Sequence, residues 1–256
     1  MQAALKMIGN LKLHIRKDAV EIRDFFANDI SRKLKEYRDV EHRDVLFLSS
    51  GGSALDVLDY IEQEVFGPYL TIGIFDERYD PTHRTSNYAA LRKTKFFRHA
   101  VAHGCRLIDT VTQKDQSQVE LADFYEQELR SWRKLHPQGA IMATMGVATD
   151  GHTMGILPFA EDPEYFRELF DSDRWVTSYD ATGKSPFPKR ITTTFSFLRS
   201  VDSIGIFIVG AQKGEMFKKL LAGDNVAEMP GRIIKSLTRG SLYADRALMQ
   251  SAGMME

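Results

Sequence analysis

Val45-Leu46-Phe47-Leu48-Ser49-Ser50-Gly51-Gly52-Ser53 is the stretch that decides the fold class. Four consecutive apolar residues, with charge before them and glycine after, are the pattern of a strand buried on both faces of a parallel sheet. The glycines allow a tight turn into residues 54–66, where Leu55, Leu58, Ile61 and Val65 fall three or four apart and predict a helix. The same alternation extends in both directions. Upstream, Ile22, Phe25, Phe26, Ile30, Leu34 and Tyr37 give residues 17–37 one apolar helical stripe. Downstream, 70–75 reads as a strand and 76–85 as a polar loop, and Ser86 can cap a helix running through Leu91 toward Phe97. Residues 105–108 read as a short strand, and 117–135 as a helix with Val119, Leu121, Phe124, Tyr125 and Leu129 apolar. A small-residue strand at 140–145, a loop at 146–155, a strand at 203–209 and a helix at 213–221 stopped by Gly223 complete the pattern.

Strand, loop and helix in repetition predict an α/β fold, a mostly parallel Rossmann-like sheet with helices on both faces. No linker, low-complexity tract or internal repeat divides the chain, so residues 1–256 are expected to form a single α/β domain. Residues 159–188, with Trp175 and Pro186-Phe187-Pro188, show no clear period and are expected as a loop over the site.

The length of 256 residues, 43% of them hydrophobic, suffices for a sizeable core. With 34 Lys and Arg against 35 Asp and Glu, the net charge of −1 gives no basic field for nucleic acid or an acidic membrane surface. Cys105 is the one cysteine, which excludes an intramolecular disulfide framework and fits a reducing compartment. No apolar run approaches the roughly 20 residues that span a bilayer. Residues 1–10 carry only Lys6 as a charge and no long apolar stretch, unlike a secretory signal. The expectation is a soluble, cytoplasmic protein, monomeric or a small homo-oligomer.

In open α/β sheets ligands bind outside the carboxyl ends of the strands, so the loops there carry the function. Ser49-Ser50-Gly51-Gly52-Ser53 can cradle an anion on successive N–H groups, although read alone it fits an ordinary turn equally well. It lacks the spacing of a dinucleotide fingerprint and the Gly-Lys pair of a Walker loop. Asp76-Glu77-Arg78-Tyr79 places three charges at a strand end, where they need solvent, one another or a ligand. Arg78 could clamp an anion, and Asp76 could accept a proton or bind sugar hydroxyls; a solvated turn with a local ion pair is the plainer reading. In Gly146-Val147-Ala148-Thr149-Asp150-Gly151-His152-Thr153 a histidine on a glycine-flanked loop after a strand can reach into a cleft as a general base. No grouping of His, Cys, Asp and Glu shows a recognised metal spacing, so no metal is expected.

Taken in order, these loops resemble the 6-phosphogluconolactonase family, within the larger group that includes glucosamine-6-phosphate isomerase/deaminase. Residues 47–53 are similar to the family's first phosphate loop. Residues 75–79, followed by Pro81, His83, Ser86, Asn87 and Tyr88, are similar to its D-E-R segment and trailing S-N-Y. Asp150-Gly151-His152-Thr153 resembles its D-G-H-T loop, Lys189-Arg190-Ile191-Thr192 its R-I-T segment, and Val209-Gly210-Ala211-Gln212-Lys213 its G-x-x-K turn. The resemblance implies hydrolysis of 6-phosphogluconolactone, a phosphorylated sugar lactone, to 6-phosphogluconate in the oxidative pentose phosphate pathway, without a cofactor. It implies that Gly51, Gly52 and Ser53 hold the phosphate with Lys213 and Arg190, and that Arg78 lies near the substrate. Asp76 would anchor the sugar, and His152 would activate water with Asp150 ordering its loop.

Three departures stand out. Ser53-Ala54-Leu55 replaces the usual Ser-Thr-Pro, Ala148 and Thr149 replace a glycine and a proline before Asp150, and Gly155-Ile156-Leu157-Pro158 replaces Ser-Leu-Phe-Pro. A Cβ at Ala148 would be costly if the backbone there required positive φ. Two other functions compete. An amino-sugar-phosphate isomerase or deaminase would use Asp76 to abstract a carbon-bound proton, but that branch has Asp-Glu-Tyr where this chain has Asp76-Glu77-Arg78, and an acid after its histidine where residues 153–158 have none. A non-catalytic sugar-phosphate binder is the other alternative.

Overall fold

Val45–Ser49 lies fully buried in the middle of an eight-stranded sheet. The computed structural model describes residues 6–255, apart from the side chains of Lys6 and Ser53. Residues 1–5, part of the segment read against a secretory signal, lie outside that description. The strands are β1 (Lys6–Ile8), β2 (Leu11–Arg16), β3 (Val45–Ser49), β4 (Leu70–Ile74), β5 (Asp76–Arg78), β6 (Arg106–Leu107), β7 (Ala140–Gly146), β8 (Val176–Asp180), β9 (Lys189–Thr193), β10 (Ser203–Ile208) and β11 (Gly240–Asp245). The α-helices are α1 (Ala19–Lys35), α2 (Ser53–Leu58), α3 (Asn87–Leu91), α4 (Lys95–Ala102), α5 (Gln118–Leu135), α6 (Pro163–Phe170), α7 (Phe195–Leu198), α8 (Gly214–Ala222) and α9 (Arg246–Ser251).

The main sheet runs β1-β2-β11-β10-β7-β3-β4-β6, parallel throughout except for the β1–β2 pair. Its residues alternate between two cores, which is why the central strands are apolar without interruption. Leu46, Leu48, Ile141 and Ile206 pack with Leu121 and Tyr125 of α5 and Phe217 of α8. Val45, Phe47, Ile72 and Phe207 pack with Phe26 and Ile30 of α1, Val57 of α2 and Phe96 of α4. No helix among the described residues is long and apolar enough to cross a membrane.

From β3 the chain proceeds through β4 to β6 at one edge; from β7 it proceeds through β10 and β11 toward the other. The order therefore reverses between β3 and β7, and the loops leaving these adjacent strands diverge to leave a crevice.

Several elements differ from the sequence expectation. The polar loop expected at 76–85 begins as strand β5, and the loop expected at 159–188 holds α6 and β8. Together with β9 they form a second, antiparallel sheet in the order β5-β9-β8. Asp76-Glu77-Arg78 is charged throughout and has no apolar alternation, so only the ladder to β9 reveals the strand. The helix expected over 54–66 ends at Leu58. Beyond it the Glu62 N–H donates to the Ser31 hydroxyl of α1 (3.0 Å), and Ile61 and Val65 reach the core from a bent chain. The helix expected from Ser86 toward Phe97 divides in two, because the Thr94 hydroxyl accepts from the Phe97 N–H (3.0 Å) and caps a new start. Val119 and Phe124, expected on the apolar side of α5, are exposed.

Candidate active site

The first wall of the crevice is the turn after β3. The Ser50 N–H donates to the Thr144 carbonyl of β7 (3.2 Å), tying the two diverging strands together. A Cβ on Gly51 would stand 2.6 Å from Oδ1 of Asn87, so only glycine lets this backbone lie against that side chain. The Ser50 hydroxyl is buried with no hydrogen-bond partner among the described residues. An orphaned buried hydroxyl is costly unless a ligand completes it.

Strand β5 supplies the second wall. Glu77 turns away from the crevice and fastens β5 to the start of α3. Its carboxylate accepts from the N–H groups of Arg78 (2.7 Å), Asn87 (2.6 Å) and Tyr88 (3.0 Å), and from the hydroxyls of Ser86 (3.0 Å) and Thr110 (3.2 Å). Burial lifts this carboxyl to about 7, against the donors that favour its charged form. Asp76 faces the crevice. Asn87 donates through Nδ2 to its carbonyl (2.9 Å) and to Oδ2 (3.1 Å), and Nη1 of Arg190 lies 4.0 Å from Oδ2. Burial raises the Asp76 carboxyl above its ordinary range, opposed by the charges of Arg190, Arg78 and His152.

In the β5–β9 ladder Arg78 and Arg190 are direct partners. Two like charges placed opposite each other are unfavourable without an anion between them. Arg190, almost fully buried, is anchored by the Phe187 carbonyl at Nε (2.7 Å) and the Ser185 hydroxyl at Nη2 (3.0 Å). Arg78 is held loosely, its Nη1 donating to the Thr85 carbonyl at 3.5 Å, and its buried Nε has no partner among the described residues. Burial and the neighbouring Arg190 lower its pKa.

The loop after β7 carries the imidazole. The Ala148 N–H donates to the His152 carbonyl (3.0 Å), the Gly151 N–H to the Ala148 carbonyl (2.9 Å), and the Thr153 hydroxyl to the Gly146 carbonyl (2.6 Å). Ala148 is not among the positive-φ residues, so its Cβ causes no backbone strain there. Asp150 Oδ1 pairs with Nδ1 of His152 at 2.7 Å and accepts from its N–H at 3.1 Å. This bond to His152 holds the Asp150 carboxyl below its ordinary range. With Nδ1 engaged, Nε2 is the nitrogen left to accept a proton. Met154, at φ +53°, and Gly155, at φ +69°, complete the turn, pinned by hydroxyls of Thr192 and Tyr179 on their carbonyls. Lys213 is half-buried, makes no ion pair among the described residues, and has its pKa lowered by burial.

A cleft of about 270 Å³ brings these parts together. Of the residues singled out in the sequence, Gly51, Gly52, Asp76, Arg78, His152, Arg190 and Lys213 line it. Asp150 stands behind His152 rather than on the lining, and the side chain of Ser53 lies outside the described residues. Ser50, Asn87, Met154 and Gly155 also line the cleft. None of the four was among the expected site residues, although Ser50, Asn87 and Gly155 sit inside motifs quoted above.

The family model described as glucosamine-6-phosphate isomerases/6-phosphogluconolactonase matches residues 17–243. The chain belongs to this family. A 6-phosphogluconolactonase from Pseudomonas putida is 24% identical over 229 residues, which cover 89% of this chain and 90% of that protein. A solved 6-phosphogluconolactonase from Shewanella baltica has a TM-score of 0.77 at 19% identity, covering 94% of this chain and 100% of its own. One from Plasmodium vivax has a TM-score of 0.75 at 19% identity, covering 97% and 96%. A monomeric glucosamine-6-phosphate deaminase has a TM-score of 0.69 at 18% identity, covering 94% and 99%. At such identities the solved structures speak for the fold. Within the glucosamine-6-phosphate isomerase/6-phosphogluconolactonase family, the side chains in the cleft must decide between the two activities.

Proposed function

We propose that this protein hydrolyses 6-phosphogluconolactone to 6-phosphogluconate. One observation carries the reading: an imidazole oriented by a carboxylate shares its cleft with Arg78 and Lys213, cations that form no ion pair within 4 Å among the described residues. The phosphate rests on the Gly51–Gly52 backbone and the Ser50 hydroxyl, and Arg78 and Lys213 supply the charge a dianion requires. Arg190 borders the phosphate while steadying Asp76, whose carboxyl binds the sugar hydroxyls. The ring carbonyl faces Nε2 of His152. That nitrogen takes a proton from water as the water oxygen bonds to the carbonyl carbon. The carbonyl oxygen becomes an oxyanion, stabilised by cleft N–H groups or Arg78. Its collapse breaks the bond from the carbonyl carbon to the ring oxygen, which receives the proton from the imidazolium. Water and the lactone balance the step. Cys105, alone and buried, suits the reducing cytoplasm to which we assign the protein.

The test is acid release from freshly generated 6-phosphogluconolactone. A rate well above the buffer blank is expected; a rate equal to the blank in folded protein overturns the proposal, and tight 6-phosphogluconate binding without turnover would make it a binder. Buried Asp76 with its raised pKa is the feature that favours a deaminase. Ammonia release from glucosamine 6-phosphate would establish that alternative.

A further inference from the structure

The β8–β9 connection, residues 181–188, contains Pro186-Phe187-Pro188 and touches both guanidinium groups of the cleft. Its base is closed by the Ala181 N–H on the Pro188 carbonyl (2.9 Å), and the Lys184 N–H returns to the Ala181 carbonyl (2.9 Å). Two prolines fix φ at 186 and 188 and bias Ser185 and Phe187 toward extended backbone, so the turn is stiff. Its polar atoms secure Arg190 through the Phe187 carbonyl and the Ser185 hydroxyl. Its aromatic ring meets Arg78, whose guanidinium carbon lies 4.6 Å from the ring centroid. Among the described residues, the Arg78 guanidinium makes one 3.5 Å bond to the Thr85 carbonyl and feels the Asp76 and Glu77 carboxylates without an ion pair within 4 Å, so the ring is its closest-packed support. Arg78 lines both the cleft and an outer groove of about 350 Å³, which Phe187 also lines.

We infer that Phe187 is a positioning residue for the phosphate grip: its ring holds Arg78 against the cleft while its backbone fixes Arg190, so one stiff turn sets both cations. An aromatic face attracts a guanidinium without neutralising it or occupying its N–H groups, so Arg78 stays both placed and available to an anion. A carboxylate in that position would compete with the phosphate. The ligand's identity rests on the lactonase reading, but the positioning role does not.

Phe187 is part-exposed, so its replacement leaves the fold intact. Binding of 6-phosphogluconate and of inorganic phosphate is measured by calorimetry for the wild type, Phe187→Ala, Phe187→Leu and Phe187→Tyr. Phe187→Ala and Phe187→Leu are expected to bind both ligands roughly five-fold more weakly, the loss of an interaction of about 1 kcal/mol. Phe187→Tyr, which restores the π face, is expected to recover wild-type affinity, with thermal midpoints alike throughout. In turnover the loss should fall on KM with kcat kept. Equal affinity of Phe187→Ala and wild type overturns the inference alone, as does recovery by Phe187→Leu. A wild type without turnover whose phosphate binding still depends on Phe187 overturns the lactonase reading and supports this one.

Discussion

Gly155→Ala puts the packing behind Asp76 to the test. Gly155 has a φ of +69°, where a side chain costs about 1 kcal/mol. A Cβ built there stands 2.7 Å from Oδ2 of Asp76, 2.9 Å from its Cβ and 3.0 Å from its Cγ, all inside contact distance. Asp76 has little room to yield. The β5–β9 ladder fixes its backbone, Asn87 holds Oδ2, and the Tyr179 hydroxyl ties the Gly155 carbonyl on the other side. Overpacking at such a site costs a further ~1–3 kcal/mol. The sum, about 2–4 kcal/mol, lowers the thermal midpoint by roughly 5–15 °C for a chain of this size. Because the intruding methyl pushes on Asp76, kcat/KM toward 6-phosphogluconolactone should fall as well. Circular dichroism melts and initial rates on purified protein measure both quantities. A variant within about a degree of the wild type and equally active would refute the reasoning. Gly155→Ser sharpens the test, since the usual family residue here is serine: if it is tolerated, close packing on Asp76 is not a constraint in this chain.

Other outcomes are equally specific. His152→Asn should lower kcat by roughly 10²–10⁴, the usual contribution of a general base, while 6-phosphogluconate affinity stays near wild type; unchanged turnover would remove His152 from the mechanism. Lys213→Met should raise KM by roughly ten-fold or more, the loss of a charge-assisted contact, yet leave chemical denaturation no less favourable to the native state, because a part-buried ammonium with no ion pair among the described residues is removed. A clear loss of stability would show that Lys213 has a structural partner in the free protein. Glu77 makes a statement about pH. Its folded pKa of about 7 lies above the ordinary 4.5, so its contribution to stability is complete below 4.5 and is lost as pH rises through 7. The stability of the wild type relative to Glu77→Gln should therefore decline across that window; a rise would mean that the hydrogen-bond donors around Glu77 keep it ionised.

The sequence by itself determined five of the eight strands of the main sheet and the order of the chemistry-bearing loops, but not β1, β2 and β11. Uninterrupted apolar runs at 45–48 and 70–74 need cover on both faces, so the parallel sheet is written into them. The loops after β3 and β7 could be located locally because glycines mark the turns at both strand ends, although the first alone fitted an ordinary turn equally well and only the ordered set of motifs pointed to a site. The second sheet was not legible. Asp76-Glu77-Arg78 becomes a strand only through β9, more than 110 residues later, and periodicity cannot report a pairing across that distance. Only the tertiary structure decided which charges face the cleft. Glu77 and Asp76 are adjacent carboxylates with no local difference, yet strand alternation sends one to the start of α3 and the other toward Arg190. The same holds for Gly155, whose lack of a side chain matters because of Asp76, and for Phe187, whose ring has a purpose only where Arg78 crosses it. Local sequence carries propensity and period; which group meets which is fixed by long-range packing.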